Sequence, residues 1–346
     1  MKHETPLVTI LTLVYNGLPH LKESIDSSLN QTFKDFTLLI MDDASPDPKV
    51  SELIESYDDP RIKIVINENN LGVSDTFNKA LSLIDTPYVV RTDQDDVSTP
   101  NRVKDQVEFL QNNKEVSIIC SWEHTIDSKG NRGRDWKREC KNYGEFIGPI
   151  LLCICPIWHP SIAFRKDDMI EAGGFRKEYT RAEDFEVTAR MAFKRYEASI
   201  IPKFHLLQRQ HESSQSKEFE HEQAKVANKV QEEIISGFIE TSDLSGLATF
   251  LRLEVNILKL EVDKLKDLSK QVRNLLIAVK KINKLNASEY KSLKITFYKR
   301  MGLGFYCEQF FNFFPKRLYK ILFILLSPQI ENNTRLALKK IYNRFF

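Results

Sequence analysis

Residues 87–96 read PYVVRTDQDD. The run Pro87–Thr92 is apolar and β-branched, the pattern of a strand buried on both faces. It passes directly into three carboxylates, Asp93, Asp95 and Asp96. Like charges this close repel, and a divalent cation with its preference for oxygen ligands relieves that cost. The alternative is a turn of acids before the helix that Thr99-Pro100 opens. The upstream sequence favours the first reading. Arg61–Ile66 (RIKIVI), Phe36–Met41 (FTLLIM) and Leu7–Val14 (LVTILTLV) repeat the same buried-strand pattern. Between them, residues 18–31, 48–57 and 73–84 space their apolar residues as helices do, for example Val73, Phe77, Leu81 and Ile84. Strands alternating with helices of roughly 10–15 residues form βαβ units around a parallel sheet. Ligands of such sheets sit beyond the carboxyl ends of the strands. Tyr15-Asn16, Asp42-Asp43 and Asp93–Asp96 follow three of these strands, and the geometry predicts one site built from all three.

Downstream, residues 99–113 form a helix and Val116–Cys120 is apolar again. From 125 to 150 the pattern loosens into loops and a short helix. His159–Phe164 (HPSIAF) reads as a strand, and Glu183–Phe193 as a helix that starts at Glu183-Asp184. Residues 217–237 are a charged helix, followed by a break at 242–246. From Leu251 to Ile282 apolar residues recur at steps of three and four. That seam is either a coiled coil between copies of the chain or a helical hairpin packed within it. The expected organisation is an α/β domain over 1–216, a helical extension over 217–289 and a tail over 290–346.

A length of 346 residues accommodates two domains, or one with an appendage. With 42% apolar and 28% charged residues the chain is neither collagenous, disordered nor polytopic. A net charge of +2 speaks against nucleic acid as partner. The tail differs: residues 290–346 hold 11 Lys/Arg against 2 Glu, a local surplus that calls for an anionic surface. Phe310, Phe311, Phe313 and Phe314 stand beside Lys316, Arg317 and Lys320. This interleaving suits an amphipathic helix on an anionic membrane face; the alternative is a hairpin that buries its aromatics. The five cysteines include only one close pair, Cys153 and Cys155, too few for structural zinc, and they read as reduced cytosolic thiols. The first residues lack the basic region and cleavage site of a secretory signal. No phosphate-cradling or dinucleotide-binding glycine motif is present.

VTILTLVYN, Q-T-F-x-D-F before LLIMDDAS, N-x-G-V-S and TDQDD with its following P-x-R together resemble the family 2 glycosyltransferases, in particular those of bacterial surface-polysaccharide assembly. HPSIAFRK, E-A-G-G-F, A-E-D-F-E and R-Q-H-E-x-S extend the likeness to about residue 216. The resemblance implies a GT-A fold, a nucleotide-sugar donor, a divalent metal (Mg²⁺ or Mn²⁺) and transfer with inversion to a glycan or lipid-linked acceptor. The setting it implies is the cytoplasmic side of the membrane. It implies that Tyr15 and Asp43 hold the nucleotide base and that Asp93 sits near the ribose or sugar. Asp95 is then the metal ligand, and His211 a further diphosphate or metal contact. Asp184 is the general base, with Glu183 beside it, and His159 borders the acceptor pocket. Gln94 departs from the small residue often found between the aspartates.

The chemistry agrees with those residue types. Sugar transfer expels a nucleoside diphosphate whose growing charge a metal offsets. The acceptor hydroxyl must lose a proton as it attacks from the opposite face, and a carboxylate at a helix start can take it. Asp184 fits that part, Glu183 is second, and a structural capping role for the pair is the third reading. Nucleotidyl transfer to a sugar phosphate would also use paired aspartates and a metal, but Tyr15-Asn16-Gly17 stands where it needs a glycine-rich basic loop. A catalytically silent glycan-binding scaffold is the remaining class.

Overall fold

The computed structural model describes residues 6–210, 219–252 and 262–301. These fall into two compact units. The first takes residues up to Lys141 and Cys155–Ala227; the second takes Asn142–Ile154 and the chain from Asn228 onward. Residues 142–154 thus join the unit that carries the C-terminal helices.

The first unit carries a mixed sheet. Strands β1 (Val8–Val14), β2 (Phe36–Asp42), β3 (Ile62–Ile66) and β4 (Tyr88–Asp93) alternate with helices α1 (Leu21–Leu29), α2 (Pro48–Glu55) and α3 (Val73–Leu83). The four strands are parallel in the order β3-β2-β1-β4. The apolar runs explain this arrangement. Val8, Ile10, Leu38, Ile40 and Val90 are buried together with Leu21 and Ile25 of α1 and Val50 and Ile54 of α2. Burying each such side chain contributes about 1.5–3 kcal/mol. Asp47 caps α2 by accepting from Lys49 N, and Pro48 fills the first helical position, where no N–H is needed.

Beyond β4 come β5 (Val97–Ser98), α4 (Arg102–Asn112), β6 (Val116–Ile126) and β7 (Arg132–Trp136). After α5 (Tyr143–Leu151), which belongs to the second unit, follow β8 (Ala163–Arg165), α6 (Lys166–Ala172), α7 (Glu183–Phe193) and β9 (Glu197–Arg209). The sheet continues as β4-β8-β6-β9-β5, and β7 pairs with β6. Two sequence expectations are corrected. The stretch from 125 to 150, expected as loops and a short helix, holds that helix but also a β-hairpin. β7 (RGRDW) has almost no apolar residue and is exposed, so it shows no buried face and is held by its pairing to β6. In the 159–164 segment only Ala163 and Phe164 are strand. Pro160 has no N–H to give a ladder, and His159–Ser161 turns as a 3-10 helix.

In the second unit, helices span Leu244–Arg252, Val262–Ile282 and Ala287–Met301. Asp243 accepts from Gly246 N and starts the first of these, so the break at 242–246 is a helix start. Leu251, Leu268, Val272, Leu275 and Val279 of the seam are buried within the unit, which favours packed helices over a coiled coil between copies. α5 lies close to the helix Ala287–Met301, because a Cβ on Gly144 would run into the Glu289 carbonyl. Among the described residues no helix is long and apolar enough to cross a membrane. Most of the tail, residues 302–346, lies outside the described residues.

Candidate active site

β1 is flanked by β2 on one side and β4 on the other, so the direction of winding reverses between β1 and β4. That switch point is where open α/β sheets leave a crevice for ligands. Leu13 faces Asp93 across the pair. Gln94 closes the two strand ends together: its Oε1 accepts from Tyr15 N at 2.8 Å and its Nε2 donates to Tyr15 O at 3.0 Å. The departure at Gln94 is therefore a brace for Tyr15, whose own side chain is 45% exposed at the crevice.

Asp43 follows β2 and is buried. Its Oδ1 accepts from Asn67 Nδ2, Leu71 N and Thr76 Oγ1, and its Oδ2 from Gly72 N. Burial alone would raise its pKa, but these hydrogen bonds outweigh it and hold the carboxyl below its ordinary value. Asp42 instead shapes the turn, accepting from both Ser45 N and Ser45 Oγ. Asn16, Ala44 and Arg181 adopt left-handed backbone conformations with φ of 54°, 58° and 82°. Such non-glycine residues cost about 1–3 kcal/mol each and gather at functional sites. Here they adjoin Tyr15, Asp43 and the loop before Glu183.

The acidic loop after β4 is held by two arginines. Arg91 Nε and Nη2 each lie 3.0 Å from Asp93 Oδ1. Arg209, at the end of β9, donates its backbone N–H to Asp96 Oδ1 at 2.8 Å and its Nε to the Asp95 carbonyl at 3.0 Å. Its guanidinium also reaches Asp127 O and Glu23 Oε2. Burial, with the charges of Asp93 and Asp95, pushes Asp96 well above the ordinary carboxylate range. A third arginine, Arg102, is fully buried and commits all five donors: to Gln106 Oε1, Thr92 Oγ1, Ser98 Oγ, Arg91 O and Pro160 O. It ties the strand carrying Asp93 to the segment carrying His159.

α7 supplies the other half. Ala182 is the N-cap residue and offers no side-chain cap, so Glu183 and Asp184 stand inside the first turn rather than capping it. A helix N-terminus favours negative charge there. Asp184 Oδ1 accepts from Phe185 N at 2.7 Å. Burial, joined by the charge of Asp184, raises the pKa of Glu183. Arg91 connects the halves electrostatically: burial opposes its charge, yet Asp93, Glu183 and Asp184 together hold its pKa above the usual value. His159 is buried beneath the site with Nε2 3.1 Å from Thr188 Oγ1. Burial takes its pKa down to about 4, so the ring is neutral at pH 7.

Tyr15, Asp43, Asp93 and Asp95 thus share one sheet edge, and Arg91 relates that edge to Glu183, Asp184 and His159. His211 lies outside the described residues. Sequence reading assigned no role to Arg91, Arg102 and Arg209. Arg91 sat inside a strand pattern, while the other two belonged to the quoted P-x-R and R-Q-H-E motifs. Among the described residues no three His, Cys, Asp or Glu side chains form a metal cage. The donor set still fits Mg²⁺ or Mn²⁺, which bind through one or two carboxylates when phosphate oxygens complete the shell.

The profile of Glycosyl transferase family 2 matches residues 9–174. An uncharacterized glycosyltransferase of Methanocaldococcus jannaschii is 31% identical over 204 residues, 58% of this chain and 70% of that protein. One from Haemophilus influenzae is 28% identical over 252 residues, 68% of this chain and 75% of that protein. Two solved structures share the fold. S. aureus TarS 1–349, in complex with UDP-GlcNAc, has a TM-score of 0.57 at 16% identity, covering 84% of this chain and 90% of its own. The mannosyltransferase PcManGT of Pyrobaculum calidifontis, in complex with GDP-Man and Mn²⁺, has a TM-score of 0.52 at 17% identity, covering 93% and 86%. With its GT-A-like sheet and the residues gathered at its switch point, the chain belongs to glycosyltransferase family 2.

Proposed function

We propose that this glycosyltransferase moves a sugar from a nucleotide-sugar, a uridine diphosphate sugar, to a glycan or lipid-linked acceptor by single displacement with inversion. The observation that carries the reading is Arg91, bonded to Asp93 at the donor edge and electrostatically tied to Asp184 at the other. Tyr15 lines the base, and Asp43 anchors the loop at 67–72 beside it. Asp93 borders the ribose or sugar. Mg²⁺ or Mn²⁺ would be held by Asp95, with His211 as a further contact, and when bound it offsets the charge developing on the departing diphosphate. Asp184 takes the proton of the acceptor hydroxyl as that oxygen attacks from the face opposite the diphosphate. Glu183 and His159 border the acceptor side. The raised pKa of Glu183 favours it as the alternative base. UDP-GlcNAc in the TarS complex and GDP-Man in the PcManGT complex support a nucleotide-sugar donor.

The test is product identification with a panel of nucleotide-sugars and membrane-derived acceptors. Release of nucleoside diphosphate with an inverted anomeric linkage is expected. Retention at the anomeric carbon, or absence of transfer from every donor, defeats the reading. We further propose that residues 290–346 bring the protein to the cytoplasmic membrane face, in keeping with surface-polysaccharide assembly. Full-length protein should then bind anionic vesicles in low salt and leave them as salt rises. Indifference to anionic lipid in low salt removes the membrane role.

A further inference from the structure

His159 is only 4% exposed, and both of its ring nitrogens face protein groups. Thr188 Oγ1 donates to the Asp184 carbonyl at 2.8 Å. The single hydroxyl proton is thereby used, so the 3.1 Å approach of His159 Nε2 to the same oxygen requires Nε2 to be the donor. Nε2 carries the proton of the neutral ring, and Nδ1 is left as an acceptor. Nδ1 faces Arg91 Nη1 at 3.5 Å. Arg91 in turn holds Asp93 through Nε and Nη2. These contacts form a continuous path from the donor edge of the sheet to the first turn of α7, where the Asp184 carbonyl is a partner of both Thr188 and His159.

We propose that His159 and Thr188 are positioning residues: the path Asp93–Arg91–His159–Thr188–Asp184 sets the first turn of α7, and with it the Asp184 carboxylate, according to the state of the donor edge. The inference rests on the proposed nucleotide-sugar function for what engages Asp93. It adds a role for His159 that needs no contact with acceptor. Several groups surround the imidazole. Arg91 lies on the β4 side and Asp184 and Thr188 on α7, and the Phe175 ring centroid is 5.8 Å away. The charges of Asp184 and Arg91 act on the ring in opposite senses, and burial prevails and keeps it neutral.

Amide hydrogen exchange tests the path on the full chain, with UDP and Mg²⁺ as the probe. In the ligand-free protein, Thr188→Val removes the hydroxyl and keeps the shape. Exchange at Asp184, Phe185 and Glu186 should rise roughly tenfold, the expected effect of one buried hydrogen bond, with α1 unchanged. Thr188→Ser should restore wild-type exchange. Adding UDP and Mg²⁺ should slow these three amides in wild type and not in Thr188→Val. If ligand-free Thr188→Val exchanges as wild type does, or if Thr188→Ser is as fast as Thr188→Val, the path is refuted and Thr188 acts by packing. Equal slowing by UDP in wild type and Thr188→Val also refutes it. Failure of wild type to bind UDP counts against the uridine donor, and the ligand-free comparison still decides the path.

Discussion

Replacing Glu123 by Gln should make the protein more stable above neutral pH and should flatten part of its pH dependence. Glu123 lies on β6 with none of its surface exposed, and its carboxylate oxygens receive only weak approaches from Ser161 and Trp158. Arg102, whose charge acts on it, has given its donors to other groups. Burial pushes the Glu123 pKa from 4.5 up to about 8. The native protein therefore holds a proton that the unfolded chain has released between about pH 4.5 and 8, and stability falls as pH rises through that window. At about 1.4 kcal/mol per pH unit the full loss is on the order of 5 kcal/mol, of which about 3 kcal/mol is reached at pH 7. Gln has the same shape and no proton to lose. Denaturant unfolding followed by tryptophan fluorescence at pH 5 to 9 measures the difference. The stability of Glu123→Gln relative to wild type should climb steadily with pH and level off above pH 8. A difference that stays constant to within about 0.5 kcal/mol over that range would show the carboxyl ionised in the fold, and the reasoning would fail.

Asp184→Asn should lower turnover by about 10²–10⁴-fold, the range for loss of a general base, with donor affinity near wild type by calorimetry; a matching loss of affinity would place Asp184 in the donor pocket and shift the base to Glu183. Asp43→Asn puts an amide N–H₂ among four donors and should cost about 2–4 kcal/mol in denaturant unfolding at pH 7. Because the Asp43 pKa is depressed, its stabilisation is present above the unfolded value near 4 and is lost as pH falls below it, so the gap between wild type and Asp43→Asn should narrow in acid. Asp95→Ala should weaken UDP binding in the presence of Mg²⁺, and excess EDTA should stop transfer; full activity in EDTA would remove the metal role from Asp95.

The parallel half of the fold was legible because strands buried on both faces announce themselves as short apolar runs, and four such runs alternate with helical spacing. The acids at the strand ends were legible for the same reason, since each breaks an apolar run at its carboxyl end. What was hidden depends on pairing rather than composition. β7 is nearly all polar, and its strand character comes from its partner β6. The seam from Leu251 to Ile282 has the same periodicity whether its partner is another copy or its own neighbours, and only packing distinguishes the two. Arg91 is a charge inside an apolar strand, and Arg102 and Arg209 are charged residues in positions where a sequence suggests solvent. Their burial is tolerable because acceptors meet them: the Asp93 carboxylate for Arg91, carbonyls and hydroxyls near and far for Arg102, and the Asp95 and Asp127 carbonyls for Arg209.

Those arginines also bear on how the acidic loop folds without a cation. Asp93, Asp95 and Asp96 would repel if all were ionised and unsupported. Arg91 holds Asp93, Arg209 fixes the Asp95 carbonyl and donates to the Asp96 carboxyl, and Asp96 is driven toward its neutral form by burial and by its neighbours. The repulsion is thus met by the protein's own groups. A metal at Asp95 would add its charge to the departing diphosphate and would not be a prerequisite of the fold. Chelation should therefore separate the two properties: transfer stops, while the thermal midpoint moves by no more than about 2 °C, less than the 2–4 °C that 1 kcal/mol shifts a domain of this size. A fall in the midpoint of 8 °C or more in EDTA, reversed by Mg²⁺, would mean that the arginines do not suffice and that the cation is part of the folded core.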